Sequence, residues 1–262
     1  MPSFDEDNYM GQIIAFSNQK GGVGKTTTCI NIASALGLMG KKVLLVDYDP
    51  QGNATSGLGV DKRNLTDSVW AVINGSLPIT AAIRKTEYRG IDILPTTMDL
   101  AAAELELAAT FSADNNPLSL LSEVKYLYDY TLIDCPPSLG FLTASALAVA
   151  DGVLVPMQCE FYALEGLSQL IPNIQRVRKH LNPSLQLVGI LPTMYNGRLT
   201  LTRQVISEIK RYYPKKLFKT PISRSVRLSE APGFGKPIHY LDPRSKSAEE
   251  YTAAAKELTE RI

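Results

Sequence analysis

Two lysines bracket a glycine-rich run in Lys20-Gly-Gly-Val-Gly-Lys-Thr26. Glycine lets the backbone come close to an anion, so the N–H groups of Gly21, Gly22, Val23, Gly24, Lys25 and Thr26 can wrap phosphoryl oxygens. An apolar run, Ile13-Ile14-Ala15-Phe16, precedes the loop and a helical pattern follows it, with Thr27 in the first turn. Strand, glycine-rich turn and helix make up the setting in which such a loop binds phosphate at a helix N-terminus. There Lys25 neutralises β/γ oxygens and the Thr26 hydroxyl ligates Mg²⁺. The spacing departs from G-x-x-x-x-G-K-[ST]: Gln19 stands where the first glycine belongs, and Lys20 adds a second positive charge.

Carboxylates follow at the ends of other apolar runs. Asp47 closes Lys42-Val-Leu-Leu-Val-Asp47 and Asp49 follows two residues on, and strand alternation puts both on one side of the chain. Asp134 closes Tyr130-Thr-Leu-Ile-Asp134. Ligands bind at the carboxyl ends of strands in open α/β sheets.

These motifs carry a resemblance. Lys20 to Thr26 is similar to the deviant Walker A sequence KGGxGK[ST] of the ParA/MinD group of P-loop ATPases. Val46-Asp-Tyr-Asp-Pro-Gln-Gly-Asn53 resembles the group's second motif, and Asp134-Cys-Pro-Pro137 its Walker B and switch II. Pro156-Met-Gln-Cys-Glu160, Ala163-Leu-Glu-Gly166 and Val226-Arg-Leu-Ser-Glu-Ala-Pro232 resemble the chromosomal ParA (Soj-like) branch, and the match spans about Gln12 to Ile238.

The resemblance implies a weak ATPase that uses ATP and Mg²⁺ and forms an ATP-dependent homodimer. It implies that Lys20 reaches the partner subunit's nucleotide, that Asp49 orients or activates the attacking water, and that Asp47 and Asp134 support Mg²⁺ alongside Thr26. Met194, Asn196 and Pro221 fall in its base-binding stretches, although the family commonly has Pro where this chain has Ser223. Arg198 and Arg227 fall where the Soj-like branch binds the DNA backbone, with Arg224 and Lys219 extending that patch. Non-specific double-stranded DNA and a ParB-like centromere-binding protein are the implied partners, and the nucleoid within the cytoplasm the implied location.

Charge supports a polyanion partner independently. Residues 172–246 hold 15 Lys/Arg against 3 Asp/Glu, within a chain whose net charge is +1. Two relatives of the same loop are weighed against this reading. A MinD-like membrane switch needs a basic amphipathic C-terminal helix, whereas Ser247 to Ile262 carries four glutamates and mostly alanine on its apolar side. An iron–sulfur reductase needs shared cysteine ligands, for which Cys135 and Cys159 are the candidates.

The elements that must position these groups are read from periodicity. Strands are expected at Ile13–Phe16, Lys42–Asp47, Ile91–Leu94, Tyr130–Asp134, Gly152–Pro156 and Leu185–Leu191. Helices are expected over Thr26–Met39, Met98–Ala109, Leu118–Tyr128, Leu164–His180 and Thr200–Tyr213, with a last helix opened by a capping box at Ser247-Ala-Glu-Glu250. Nearly all-apolar strands alternating with helices predict a mostly parallel, twisted Rossmann-like sheet covered on both faces. With no long linker and no repeat, residues 12–262 read as one P-loop ATPase domain behind a tail at 1–11. No apolar run reaches the roughly 18 residues of a membrane span, the acidic, polar residues 1–11 are not expected to act as a signal peptide, and three widely spaced cysteines suit a reducing, cytoplasmic setting.

Overall fold

The computed structural model describes residues 11–262, so most of the expected tail lies outside the described residues. Its last position, Gly11, is buried, and a Cβ there would meet the Tyr128 carbonyl oxygen at 2.1 Å.

In chain order the first half runs β1 (Gln12–Phe16), α1 (Lys25–Leu38), β2 (Val43–Asp47), α2 (Asn53–Gly57), α3 (Val69–Ile73), α4 (Ile79–Ala82), β3 (Arg84–Lys85), β4 (Ile91–Leu94) and α5 (Asp99–Thr110). The second half runs β5 (Tyr130–Asp134), α6 (Phe141–Val149), β6 (Gly152–Gln158), α7 (Ala163–His180), β7 (Gln186–Thr193), α8 (Thr200–Tyr212), α9 (Val226–Glu230), α10 (Ile238–Leu241) and α11 (Lys246–Arg261). The strands form one sheet in the order β3-β4-β2-β5-β1-β6-β7, parallel except for the short edge strand β3.

The apolar runs become central strands because both faces are covered. In β1, Ile13 and Ala15 join a core with α3 to α8, while Ile14 and Phe16 join a core with α1, α2 and α9 to α11. This alternation is what a parallel sheet between two helical layers demands. Register then aims the chemistry. Asp47 of β2 and Phe16 of β1 are both paired with Asp134 of β5, so the two carboxylates lie side by side where β1 leaves the sheet.

Two expectations are corrected. Leu118–Tyr128 is not one α-helix but two 3₁₀ turns, Ser119–Glu123 and Lys125–Leu127. Its buried residues Leu118, Leu121 and Val124 recur every third position, which suits three residues per turn better than 3.6. The Asn116 side chain also pins the start, accepting from the Leu118 N–H and donating to the Ser145 carbonyl. The capping box is also absent. Ser245, in extended conformation, is the N-cap of α11 and accepts from the Ala248 N–H at 3.3 Å. Ser247 is already inside the helix and buried, and Glu250 is engaged elsewhere, with Ser223. Helix α6 was not expected. Its stretch of apolar and small residues offers no periodicity, because it is pressed between the sheet and α7.

Candidate active site

The loop between β1 and α1 is shaped by backbone conformations that side chains resist. Gly22 and Gly24 have φ of 72° and 84°, and Gly24 is the left-handed N-cap of α1. No side chain caps this helix, so its first N–H groups face the cleft as anion donors. Lys25 is almost fully buried, and its Nζ donates to the Lys20 carbonyl at 3.2 Å, closing the loop over itself. Burial lowers its pKa, against the opposing pull of Asp134.

The cleft above the loop has a volume of about 420 Å³. Its walls hold Gly21, Gly22, Gly24, Lys25, Thr26, Thr27, Asp49 and Met194 of the expected residues. Val23 is buried beneath, its carbonyl accepting from the Thr193 hydroxyl at 2.7 Å at the end of β7. Gln51, Asn53, Ser56, Pro137 and Pro232 also line the cleft. The first two lie inside the motif Val46 to Asn53, so their motif was visible while their own part in the wall was not.

Asp47 and Asp134 are cross-strand neighbours, and Asp49 lies near enough to act on the charge of both. Tyr48, between Asp47 and Asp49, turns the opposite way, into the core, where its hydroxyl meets Ser145 at 3.1 Å. Asp49 is held in a tight turn, its Oδ1 accepting from the Gln51 N–H at 3.0 Å. Asp47 and Asp134 are fully buried. Burial pushes the Asp47 carboxyl up to about 6, against the hydrogen bonds from Thr55. Burial, and next the neighbouring Asp47, push Asp134 up as well. The Thr26 hydroxyl lies close enough to favour the charged form of Asp134, yet neither Asp134 oxygen completes a hydrogen bond, nor does Asp47 Oδ1. Buried oxygens without donors are rare and call for a cation. Hard carboxylate and hydroxyl oxygens at the edge of a phosphate loop suit Mg²⁺, which keeps waters and shares substrate phosphates.

Lys20 behaves differently from Lys25. Its Nζ is turned to the rim, 2.6 Å from Glu160 Oε2, with both side chains substantially exposed. The other Glu160 oxygen accepts from Gln158. Beside it, Gly21 is exposed, and a Cβ there would meet only the Pro137 Cβ at 3.9 Å.

The remaining expected residues are spread along the far end of β7. Met194 has φ of 48°, the only non-glycine residue with positive φ among those described, and lines both the main cleft and a small adjoining one with Arg224. The Asn196 side chain accepts from the Arg198 N–H at 3.1 Å, turning the chain outward so that Arg198 is exposed. Tyr195 pairs with Ser223, which brings the Arg198 turn alongside Arg224. Ser223 is gripped by Glu250, which accepts from its N–H at 2.8 Å and its hydroxyl at 2.6 Å, a pair of bonds that proline could not make. Arg227 is exposed and paired with Glu230 at 3.1 Å. Pro221 and Lys219 instead line a separate cleft of about 520 Å³ with Tyr195, Lys210 and Phe218, which contains no residue of the phosphate loop.

Cys135 and Cys159 are buried, and burial raises both thiols, that of Cys159 to about 11. The apolar side of α11 (Ala248, Tyr251, Ala254, Ala255, Leu258) packs into the core against α1. Among the described residues, no helix is long and apolar enough to cross a membrane.

Comparison with known proteins adds to this geometry. The AAA domain family matches residues 11–187. The chain is 51% identical over 249 residues to the sporulation initiation inhibitor protein Soj of Bacillus subtilis (strain 168), covering 95% of this chain and 98% of that protein. It is 49% identical over 255 residues to the chromosome partitioning protein ParA of Myxococcus xanthus (strain DK1622), covering 96% and 89%. Among solved structures, a cobyrinic acid a,c-diamide synthase from Mycobacterium smegmatis, with bound ADP and magnesium, superimposes with a TM-score of 0.82 at 38% identity, covering 94% of this chain and 93% of that one.

Proposed function

The chain belongs to the ParA/Soj family of P-loop ATPases, and from that premise we propose that its ATPase cycle switches a homodimer on and off non-specific DNA to partition a DNA cargo. Its relatives include proteins named for chromosome partitioning, and the structural neighbour was solved with ADP and magnesium. The loop N–H groups and Lys25 line the cleft that would take ATP and would hold its phosphates. The Thr26 hydroxyl, Asp134 and the unpartnered oxygen of Asp47 would hold Mg²⁺, which would supply neutralisation of phosphate charge there. Asp49 takes the proton of the attacking water from the turn that fixes its carboxylate.

The observation that carries the dimer is the division of labour between the two lysines. Lys25 is buried under the loop, whereas Lys20 lies at the exposed rim, its ammonium on Glu160. A cation brought from outside the site stabilises the charge that spreads over the transferring phosphoryl group, as an arginine finger does. Lys20 serves the partner subunit's nucleotide in this way, and the bare, exposed Gly21 leaves room for the facing loop.

DNA contact falls to Arg198, Arg224 and Arg227, with Lys219 at the margin. Arginine and lysine contacts to phosphate position a protein without reading sequence. Two such patches in one dimer form a bivalent footprint, which makes binding depend on ATP. A ParB-like protein bound at a centromere accelerates hydrolysis and so releases the dimer, at the nucleoid in the cytoplasm. The packing of the apolar side of α11 on α1 speaks against a MinD-like use of that helix at a lipid surface.

The test is a mobility shift with non-specific duplex DNA, run with ADP, with ATP, and with ATP on Asp49→Ala, at two salt concentrations. Binding only with ATP, strongest in the variant and weakened by salt, is the expected result. Equal binding with ADP and ATP, or none in any state, removes the DNA switch.

A further inference from the structure

One group in the site is placed too deliberately for a strand end that merely lies near a metal. Asp47 gives one oxygen, Oδ2, two hydrogen bonds from a single residue: the Thr55 N–H and the Thr55 hydroxyl, each at 2.6 Å. Its other oxygen, Oδ1, is buried and has no partner. Thr55 is itself fully buried. A threonine hydroxyl has one proton and two lone pairs. Its proton goes to Asp47, and a lone pair accepts from the Thr96 N–H at 3.2 Å, just beyond β4. The hydroxyl is therefore held from both sides and cannot turn away from the carboxylate.

We propose that Thr55 is the positioning residue of the magnesium site: by pinning Oδ2 of Asp47 it turns Oδ1 toward Asp134 and the ion. This rests on the assignment of Asp47 and Asp134 to Mg²⁺. One bond from the Thr55 backbone would leave the carboxylate free to swing. The second bond, to the same oxygen, fixes its plane. Thr55 lies on α2, whose Asn53 and Ser56 line the cleft, so the same pair of bonds ties that wall to the end of β2. Residues that orient a metal ligand typically change metal affinity by about 10- to 100-fold when removed.

The experiment follows binding rather than turnover. The affinity of the full-length protein for a fluorescent ADP analogue is measured in EDTA and across a Mg²⁺ titration, for wild type, Thr55→Val, Thr55→Ser and Asp47→Asn. Thr55→Val keeps the shape and the backbone bond but loses the hydroxyl. It is expected to raise the Mg²⁺ concentration at half-effect about tenfold with ADP affinity in EDTA unchanged, while Thr55→Ser titrates as wild type. Asp47→Asn is the reference for loss of the ligand. If Thr55→Val titrates as wild type while Asp47→Asn is shifted, Thr55 is not a positioning residue, though the site assignment stands. If Thr55→Val weakens ADP equally with and without Mg²⁺, its role is structural and the proposal fails. If Asp47→Asn is not shifted, the magnesium assignment falls and the proposal falls with it. Should Thr55→Val not fold, Thr55→Ala removes the same hydroxyl without crowding.

Discussion

The two ends of the nucleotide cleft are built by opposite means. At the phosphate end, adjacent strands in fixed register bring Phe16, Asp47 and Asp134 to one level, and the loop is set by glycine conformations and closed by a buried lysine. At the other end, Met194 and Arg224 come from loops beyond β7, joined by an isolated bridge at Tyr195 and Ser223 and a side-chain grip from Glu250. A group on a sheet of buried strands has little freedom to adjust, whereas one on a loop can move with its ligand. The phosphate-end carboxylates and buried lysine thus sit where the fold is stiffest, and the residues proposed to meet base and DNA where it is not.

The largest effect that would break this comparison is expected at the rim. Lys20→Ala should lose about a thousandfold in ATP turnover, by analogy with an arginine finger, while a monomer's ADP affinity stays as in wild type. Normal turnover would return Lys20 to the class of surface cations. Gly21→Val refines the same point. The monomer has room for its Cβ, with only Pro137 at 3.9 Å, so the variant should fold and bind ATP yet stay monomeric by light scattering.

Asp49→Ala should bind ATP and dimerise but hydrolyse about a hundredfold more slowly, the lower range for a lost general base. Single-turnover kinetics separate this from a loss of binding. A rate within twofold of wild type would move the catalytic role elsewhere.

The buried carboxylates make a stability prediction. The Asp47 carboxyl in the folded protein is raised to about 6 from an ordinary 3.8. Through that window the folded state holds more protons than the unfolded one, so stability falls as pH rises. Asp134 acts in the same direction. Without nucleotide and Mg²⁺, the melting temperature should therefore drop between pH 4 and pH 7. Asp47→Asn should flatten the drop and stabilise the protein at pH 7 by on the order of 1–3 kcal/mol. A wild-type melting temperature indifferent to pH would show that the carboxylates are relieved by another route.

The smallest effects belong to the loop-borne arginines. Arg198→Glu should weaken DNA binding by roughly tenfold and reduce the salt slope by about 1, as loss of one phosphate contact does. An unchanged slope in a mobility-shift series would take Arg198 out of the DNA surface.

Legibility in the sequence follows the same division. The phosphate loop was readable because its chemistry lies in local backbone conformation, and Asp47 and Asp134 because each ends an apolar run, with Asp49 two residues beyond the first. Thr55 and Glu160 were not assigned, since their meaning comes from contacts with Asp47 and Lys20 that only folding makes. The misplaced capping box has the same cause. Ser247 and Glu250 have the right spacing, but Glu250 is taken by Ser223, 27 residues away. The stretch Leu118–Tyr128 failed because periods of 3.0 and 3.6 are hard to separate over so short a run.

The sequence by itself determined the alternation of strand and helix, the phosphate loop and the identity of its charged groups, because hydrophobic period and glycine placement act locally. Tertiary structure decided which carboxylate oxygens stay unpaired, which lysine turns inward and which lies at the rim, and which loops meet beyond β7. Those outcomes depend on strand register and burial, which bring residues far apart in the chain within hydrogen-bond reach and remove the water that would otherwise satisfy them.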